Sequence, residues 1–237
     1  NFKTFQNLPN INFRDANSRL IDINGDGKSD ILVTEDNAFA VYESNGKYGF
    51  SPVYKNVFST NEEDGPRIIF KEELQSIYLA DMNGDGLNEI VRIRASEICY
   101  WPNLGYGRFG AKVSMDNVPL IDSLSDFNPS LVRLADIDGS GTADLIYLGK
   151  FNINIYLNLN GNSFDTTPFT IDPAFEINNS SNVTFVDLLG NGVPCIVWSS
   201  GLEKDIGHSL KYIDLCESKK PHLMKGYVNN LGKETNW

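Results

Sequence analysis

Asp22-Ile-Asn-Gly-Asp-Gly-Lys-Ser-Asp30 sits at the centre of the stretch Arg19-Leu-Ile-Asp-Ile-Asn-Gly-Asp-Gly-Lys-Ser-Asp-Ile-Leu-Val33. The pattern returns as Tyr78-Leu-Ala-Asp-Met-Asn-Gly-Asp-Gly-Leu-Asn-Glu-Ile-Val-Arg92 and as Arg133-Leu-Ala-Asp-Ile-Asp-Gly-Ser-Gly-Thr-Ala-Asp-Leu-Ile-Tyr147. A degenerate fourth copy reads Phe185-Val-Asp-Leu-Leu-Gly-Asn-Gly-Val-Pro-Cys-Ile-Val-Trp198. The leading aspartates Asp22, Asp81, Asp136 and Asp187 are 59, 55 and 51 residues apart. Self-similarity at a period of about 50 residues marks a repeat architecture.

A second element follows each loop: Phe39–Phe50, Ile98–Gly110 and Ile153–Phe164. Each is an apolar or aromatic strand, an Asn-Gly or Gly-rich turn and an aromatic restart, which is a hairpin signature. The fourth counterpart is confined to Leu210-Lys-Tyr-Ile-Asp-Leu215. One unit is then strand, loop, strand, hairpin and further strand. About four strands in about 50 residues match a β-propeller blade. A single blade cannot bury both faces of its sheet, whereas blades stacked round an axis can. A helical solenoid would need apolar residues at 3.6 spacing, and none are found. The acidic stretch Asn61–Leu74 reads as an inter-blade loop with at most one helical turn. The expectation is an all-β propeller of about four to five blades, a single domain over 1–237. Its repeat units run about 1–67, 68–125, 126–175 and 176–228, and 229–237 begins the next segment. Asn1–Asn17 and Leu210–Val228 are candidates for a fifth blade.

The loops have the spacing of a calcium site. Calcium takes six to eight oxygen ligands, which a short loop supplies from alternate positions. Loop 1 offers Asp22, Asn24, Asp26, the carbonyl of Lys28 and Asp30. Loop 2 offers Asp81, Asn83, Asp85, the carbonyl of Leu87 and Glu89; loop 3 offers Asp136, Asp138, Ser140, the carbonyl of Thr142 and Asp144. Loop 3 is the weakest of these, since Ser140 replaces a carboxylate. Loop 4 keeps Asp187 but has Leu189, Asn191 and Cys195 at the other positions, so it is expected to hold no metal. An EF-hand is excluded by Val33 at position 12, where a bidentate Glu is needed, and by β-branched flanks. Asp-Asn-Gly clusters also form tight turns without an ion. The repetition favours up to three structural Ca²⁺ ions, with protein filling the ligand positions.

The chain has 237 residues, 41% of them hydrophobic, and a net charge of -11. Nucleic acid and anionic membrane surfaces would repel it, because both need clustered Lys and Arg. No apolar run approaches the roughly 20 residues of a membrane span. The absence of an initiator Met suggests a chain that begins inside a larger protein. Cys99, Cys195 and Cys216 read as buried thiols rather than a disulfide framework.

No catalytic constellation is evident. His208 and His222 lack a metal-ligand spacing and read as loop residues. Tyr100, Trp101 and Trp198 lie in strands and read as packing, while Tyr106 and Phe109 in a Gly-rich turn read as exposed. Glu62-Glu-Asp64 reads as a solvated loop, or as a contact for a basic partner. Asn178, Asn179 and Asn182 fit the N-glycosylation pattern, which matters only in a eukaryotic secretory path.

The repeats resemble the FG-GAP or VCBS blade of integrin α-subunit heads and of many bacterial surface and secreted proteins. Three further motifs, in order, resemble the TcB/SpvB family of bacterial toxin-complex proteins. They are Tyr100-Trp-Pro-Asn-Leu-Gly-Tyr-Gly-Arg-Phe-Gly110, Val186–Gly192 with Ile196-Val-Trp-Ser199, and Lys220-Pro-His-Leu-Met224 with Asn229-Asn-Leu-Gly232. The match runs from about Ser76 to Trp237, and the first blade fits only the general repeat. The resemblance implies a secreted B component whose propeller caps a toxin shell built from the same chain. It also implies docking on a pore-forming component, with catalysis left to a separate cargo. The expected function is a non-enzymatic scaffold and docking module. The alternative is a calcium-stabilised adhesin or lectin-like module on the bacterial surface, with glycan as its partner.

Overall fold

The computed structural model describes residues 3–71, 76–120, 127–149, 152–172, 181–217 and 219–236. The elements are strands and turns, with three short 3-10 turns, at Gly46–Tyr48, Pro129–Leu131 and Glu203–Asp205, among the described residues. Sheet 1 holds β1 (Ser18–Ile21), β2 (Asp30–Thr34), β3 (Ala38–Tyr42) and β4 (Tyr54–Val57) in that order. Sheet 2 holds β5 (Ile77–Ala80), β6 (Glu89–Arg94), β7 (Glu97–Trp101) and β8 (Val113–Ser114). Sheet 3 begins with β9 (Val132–Ala135), β10 (Asp144–Leu148) and β11 (Ile153–Tyr156). A small hairpin, β12 (Asn158–Leu159) and β13 (Ser163–Phe164), precedes its outer strand β14 (Phe169–Ile171). Sheet 4 has three strands, β15 (Ser181–Val186), β16 (Cys195–Ser200) and β17 (Leu210–Ile213). All pairings within these sheets are antiparallel.

Each second strand is largely apolar, with Arg92 of β6 as a buried charged exception, and both of its faces are used. Side chains alternate across a strand, so a run without polar interruption is stable only with cover on both sides. On β10, Leu145 and Tyr147 join the cluster formed with Val91, Ile93, Ile98 and Tyr100 of sheet 2. Their neighbours Ile146 and Leu148 join Val183, Ile196 and Trp198 of sheet 4. Sheets 1 and 2 meet through Leu32, Phe39, Val41, Ile90 and the wholly buried Trp101. The core is thus a succession of three sheet-to-sheet layers. Truncating Trp101 would cost about 3–5 kcal/mol by the usual scale for large core residues.

Several sequence expectations are corrected. Residues 3–17 contain no strand; Asn7 bridges Gly49 in the connection between β3 and β4, and the Asn17 carbonyl accepts from the Thr34 amide of β2. Leu210–Ile213 is the third strand of sheet 4, as the fourth counterpart Leu210–Leu215 expects, and is therefore not part of a fifth unit. A hairpin of β18 (Gly226–Val228) and β19 (Glu234–Asn236) crosses the boundary expected at 228. Residues 61–71 contain no helical turn, and 72–74 lie outside the described residues. Asn178 and Asn179 also lie outside them.

Candidate metal-binding loops and the contacts that hold them

Each loop is closed by its first aspartate. Asp22 Oδ1 accepts from the Gly25 amide and Oδ2 from the Gly27 amide, both at 2.8 Å. Asp81 does the same for Gly84 (2.7 Å) and Gly86 (2.8 Å). Asp136 Oδ2 accepts from Gly141 at 3.0 Å, and Asp187 Oδ2 from Gly192 at 2.8 Å. Gly25 and Gly27 have φ of 79° and 80°, a left-handed conformation that side chains rarely adopt. Position 3 adds a further turn: the side-chain oxygens of Asn24, Asn83 and Asp138 accept from the amides of Asp26, Asp85 and Ser140. The fourth loop keeps this fabric, since Asn191 Oδ1 accepts from Val193 and Asp187 Oδ1 from Asn191.

The last acidic residue of loops 1 to 3 begins a strand and is fully buried. Asp30 Oδ2 accepts from the Ile23 amide (3.2 Å) and Oδ1 from Ser44 (2.7 Å). Asp144 accepts from Ile137 (2.9 Å) and Asn158 (2.8 Å). Glu89 Oε2 accepts from Met82 at 2.6 Å, while Oε1 is buried without a partner. Burial pushes the carboxyl groups of Glu89 and Asp144 up to about 7. Backbone amides oppose the shift, and the neighbouring loop carboxylates add to it.

Two loops bring their acids together. Carboxylate oxygens of Asp81, Asp85 and Glu89 lie within 4.8 Å of one another, as do those of Asp136, Asp138 and Asp144. Both clusters contain a buried carboxylate oxygen with no hydrogen-bond partner, Glu89 Oε1 and Asp136 Oδ1. An unpaired buried carboxylate oxygen is costly, and a bound cation removes that cost. The all-oxygen donor set fits a hard divalent ion. Asn83, whose Nδ2 donates to Asp85 Oδ2, flanks the first cluster; Ser140, with its Oγ 3.1 Å from Thr142 Oγ1, flanks the second. Loop 1 forms no such group. Asp26 there turns to the Lys28 ammonium at 2.6 Å, which holds its carboxyl below the usual range.

A second set of contacts escaped the sequence reading. The carbonyl at loop position 2 receives a donor from the hairpin of the next sheet. Asn103 Nδ2 donates to Ile23 O (3.3 Å), Asn158 Nδ2 to Met82 O (2.8 Å), and Cys216 Sγ to Ile137 O (3.6 Å). The position-4 glycine of each loop faces position 7 of the next. A Cβ on Gly25 would lie 3.1 Å from Leu87, on Gly84 3.3 Å from Thr142, and on Gly139 3.4 Å from Val193. The signal was present as an Asn two residues beyond Trp101 and beyond Tyr156. Cys216 is accordingly half-buried, unlike the buried Cys99 and Cys195.

The other singled-out residues also find places. Tyr100, Trp101 and Trp198 are buried. Tyr106 is exposed, but Phe109 packs with its ring centroid 5.2 Å from that of Phe39 and is not a free aromatic face. Glu63 and Asp64 are exposed, as a solvated loop requires, while Glu62 is half-buried and pairs with Arg92 at 2.5 Å; Glu63 also reaches Lys112 at 3.2 Å. His208 and His222 are exposed.

Comparison with known proteins agrees with this architecture. Residues 22–92 match the FG-GAP-like repeat. No curated protein matches the sequence. A chain of the Photorhabdus luminescens Tc holotoxin pore is similar over 92% of this chain and 10% of its own, with 26% identity and a TM-score of 0.71. The TcdB2-TccC3-Cdc42 crystal structure is similar over 88% of this chain and 14% of its own, at 19% identity and a TM-score of 0.56. An Agrocybe aegerita lectin that recognises non-reducing terminal N-acetylglucosamine is similar over 76% and 45%, at 21% identity and a TM-score of 0.56. The last two show the fold alone. The chain carries FG-GAP-like repeats and is similar in structure to a Tc-toxin-type repeat section. It spans about a tenth of the Tc holotoxin chain it matches.

Proposed function

We propose that this protein is a non-enzymatic β-propeller scaffold and docking module of a secreted toxin-complex B-component-like protein. In that role it caps a toxin shell and binds the pore-forming component. The observation that carries the reading is the likeness to the Photorhabdus luminescens Tc holotoxin chain over 92% of the sequence, joined to the FG-GAP-like repeat at 22–92. The repeating loop-to-loop contacts support it physically. They tie each sheet's loop to the next sheet and leave the loops and turns to present a surface. No helix among the described residues is long and apolar enough to cross a membrane. Calcium fits the same reading as a structural ion in loops 2 and 3, held by Asp81, Asp85, Glu89, Asp136, Asp138 and Asp144. Loop 1 would take a third ion only after Asp26 leaves Lys28.

Two experiments test this. Immobilised protein should bind its cognate Tc-type pore-forming component saturably, and no binding by the folded protein sinks the docking role. A thermal melt in millimolar Ca²⁺ should lie several degrees above one in EDTA, with Mg²⁺ giving a smaller rise. At a hundredfold excess over Kd, one ion adds about 2.7 kcal/mol. Each kcal/mol is worth roughly 2–4 °C for a domain of this size. Equal melts in EDTA and Ca²⁺ would mean metal-free turns.

A further inference from the structure

In an Asn-Gly pair the backbone nitrogen of the glycine can attack the asparagine side chain, because no Cβ stands in its way. The chain has five such pairs, led by Asn24, Asn45, Asn83, Asn160 and Asn191. Four of them are held alike and one is not. Gly25, Gly84 and Gly192 donate their amides to the carboxylates of Asp22 (2.8 Å), Asp81 (2.7 Å) and Asp187 (2.8 Å). Gly161 donates to Asn158 Oδ1 at 2.8 Å. The Gly46 amide reaches the Ser44 hydroxyl at 3.3 Å, a long contact to a neutral group.

Space separates the five in the same way. A Cβ on Gly25, Gly84, Gly161 or Gly192 would lie 3.1, 3.3, 2.8 or 3.0 Å from a side chain of another segment. On Gly46 the nearest atom would be Lys28 Cδ at 4.0 Å, and Asn45 is exposed. Attack requires the glycine nitrogen to leave its present partner and come onto Cγ of the asparagine. A bond to a carboxylate resists this roughly twice as strongly as one between neutral groups.

We propose that Asn45 is a site of spontaneous deamidation and that the fold protects the other four Asn-Gly pairs from it. The Gly46 nitrogen loses its proton to solvent base and attacks Asn45 Cγ. The new N–Cγ bond closes a succinimide ring as the side-chain nitrogen takes up a proton and leaves as ammonia. Water then opens the ring at either carbonyl, leaving aspartate or isoaspartate at position 45. One water is consumed and one ammonia released, and nothing is oxidised or reduced.

The isoaspartate product changes the chain around it. It carries the backbone through the former side chain and lengthens it by one carbon. Asn45 N donates to Gly49 O at 2.7 Å and Gly49 N to Gly46 O at 3.1 Å, which closes the short turn Gly46–Tyr48. That turn sets the Tyr48 carbonyl and the Phe50 amide that hold Asn7, at 3.1 and 2.9 Å. Modification of Asn45 therefore loosens the grip on residues 3–16.

The intact protein and its tryptic peptides are incubated side by side in mildly alkaline buffer. Mass spectrometry follows deamidation at each pair, and electron-transfer fragmentation identifies isoaspartate. The peptides give each pair's rate without the fold. In the folded protein Asn45 should keep most of its peptide rate, while the other four fall at least tenfold. A folded protein in which Asn45 is slowed as much as the others, or in which another pair leads, overturns the assignment. Asn45→Gln, whose longer side chain disfavours ring closure, should remove the early product. Aged protein carrying isoaspartate should be cut by trypsin at Arg14 faster than fresh protein, and aged Asn45→Gln protein should not. Equal cleavage of modified and fresh protein overturns the loosening of residues 3–16.

Discussion

Glu89 and Asp144 show how one residue can serve strand, loop and ion. Each begins a strand, accepts an amide from its loop and points a carboxylate into an acidic cluster. Burial raises both groups to about 7, above the usual carboxylate value near 4. Between those values the metal-free folded state holds protons that the unfolded chain has released. Stability in EDTA should therefore rise as pH falls from about 8 to 5.5, and be lost as pH rises through 7. With Ca²⁺ the ligands must be ionised, so the calcium-dependent shift should shrink over the same descent. Melts at four pH values in EDTA and Ca²⁺ check both slopes; a parallel pair would remove these residues from the ion. Glu89→Gln should leave the EDTA melt equal or higher and reduce the calcium shift by about half.

Asn158 is the clearest single latch. Its Nδ2 donates to Met82 O and Ala143 O, and its Oδ1 accepts from the Gly161 amide. It is 6% exposed, so its partners cannot turn to water. Asn158→Ala should cost about 3 kcal/mol, taking roughly 1 per lost bond plus the unmet carbonyls. Urea unfolding should show a lower midpoint at an unchanged slope. A loss under 1 kcal/mol would show that the sheets are fixed by packing alone.

At the scale of the element, the segment 3–16 is held against the connection between β3 and β4 through Asn7 and Phe5, while Asn17 is tied separately to Thr34 and Lys71. Asn7 donates to Tyr48 O and accepts from Phe50, and Phe5 lies with its ring centroid 6.1 Å from that of Phe50. Gly49 makes this approach possible: a Cβ there would lie 1.9 Å from Asn7 O, and its φ is 102°. Gly49→Ala should free the segment while sheet 1 remains intact, giving early tryptic cleavage at Lys3 or Arg14. Unchanged cleavage would mean that the segment is held by its apolar side chains.

The elements also show what was legible in the sequence. The loops stood out because a carboxylate cage and a left-handed glycine turn constrain residue type position by position. The second strands were legible because cover on both faces demands mostly apolar residues, Arg92 of β6 being the exception. Contacts between units were not, since Asn103 and Asn158 look like ordinary turn residues until their partner carbonyls, 80 and 76 positions away, are known. The pairs Glu62–Arg92 and Glu63–Lys112 were hidden for the same reason. Cys216 was misread because it follows Leu215, although its thiol fills the latch position of an asparagine.

For the whole molecule, charge is the term that sequence and structure set against each other. The net charge is -11, and two groups of three acids lie with oxygens within 4.8 Å. Without metal, each group repels itself and the excess charge of the chain. Among the described residues, Lys28–Asp26, Lys55–Glu35 and Lys219–Glu217 are exposed, where such bridges are worth about 0–1 kcal/mol. Arg92, 4% exposed between Glu62 and Glu97, is better shielded from salt. Raising NaCl from about 0.05 to 0.5 M shortens the screening length from roughly 14 to 4 Å, which weakens repulsion between sheets and loops more than contact pairs. The melting temperature in EDTA should climb by a few degrees over that range. In Ca²⁺, where the clusters are neutralised in place, it should stay nearly flat. Equal slopes in the two conditions would show that the acidic clusters carry no strain for an ion to relieve, and that the sheets are held by their apolar layers and latches alone.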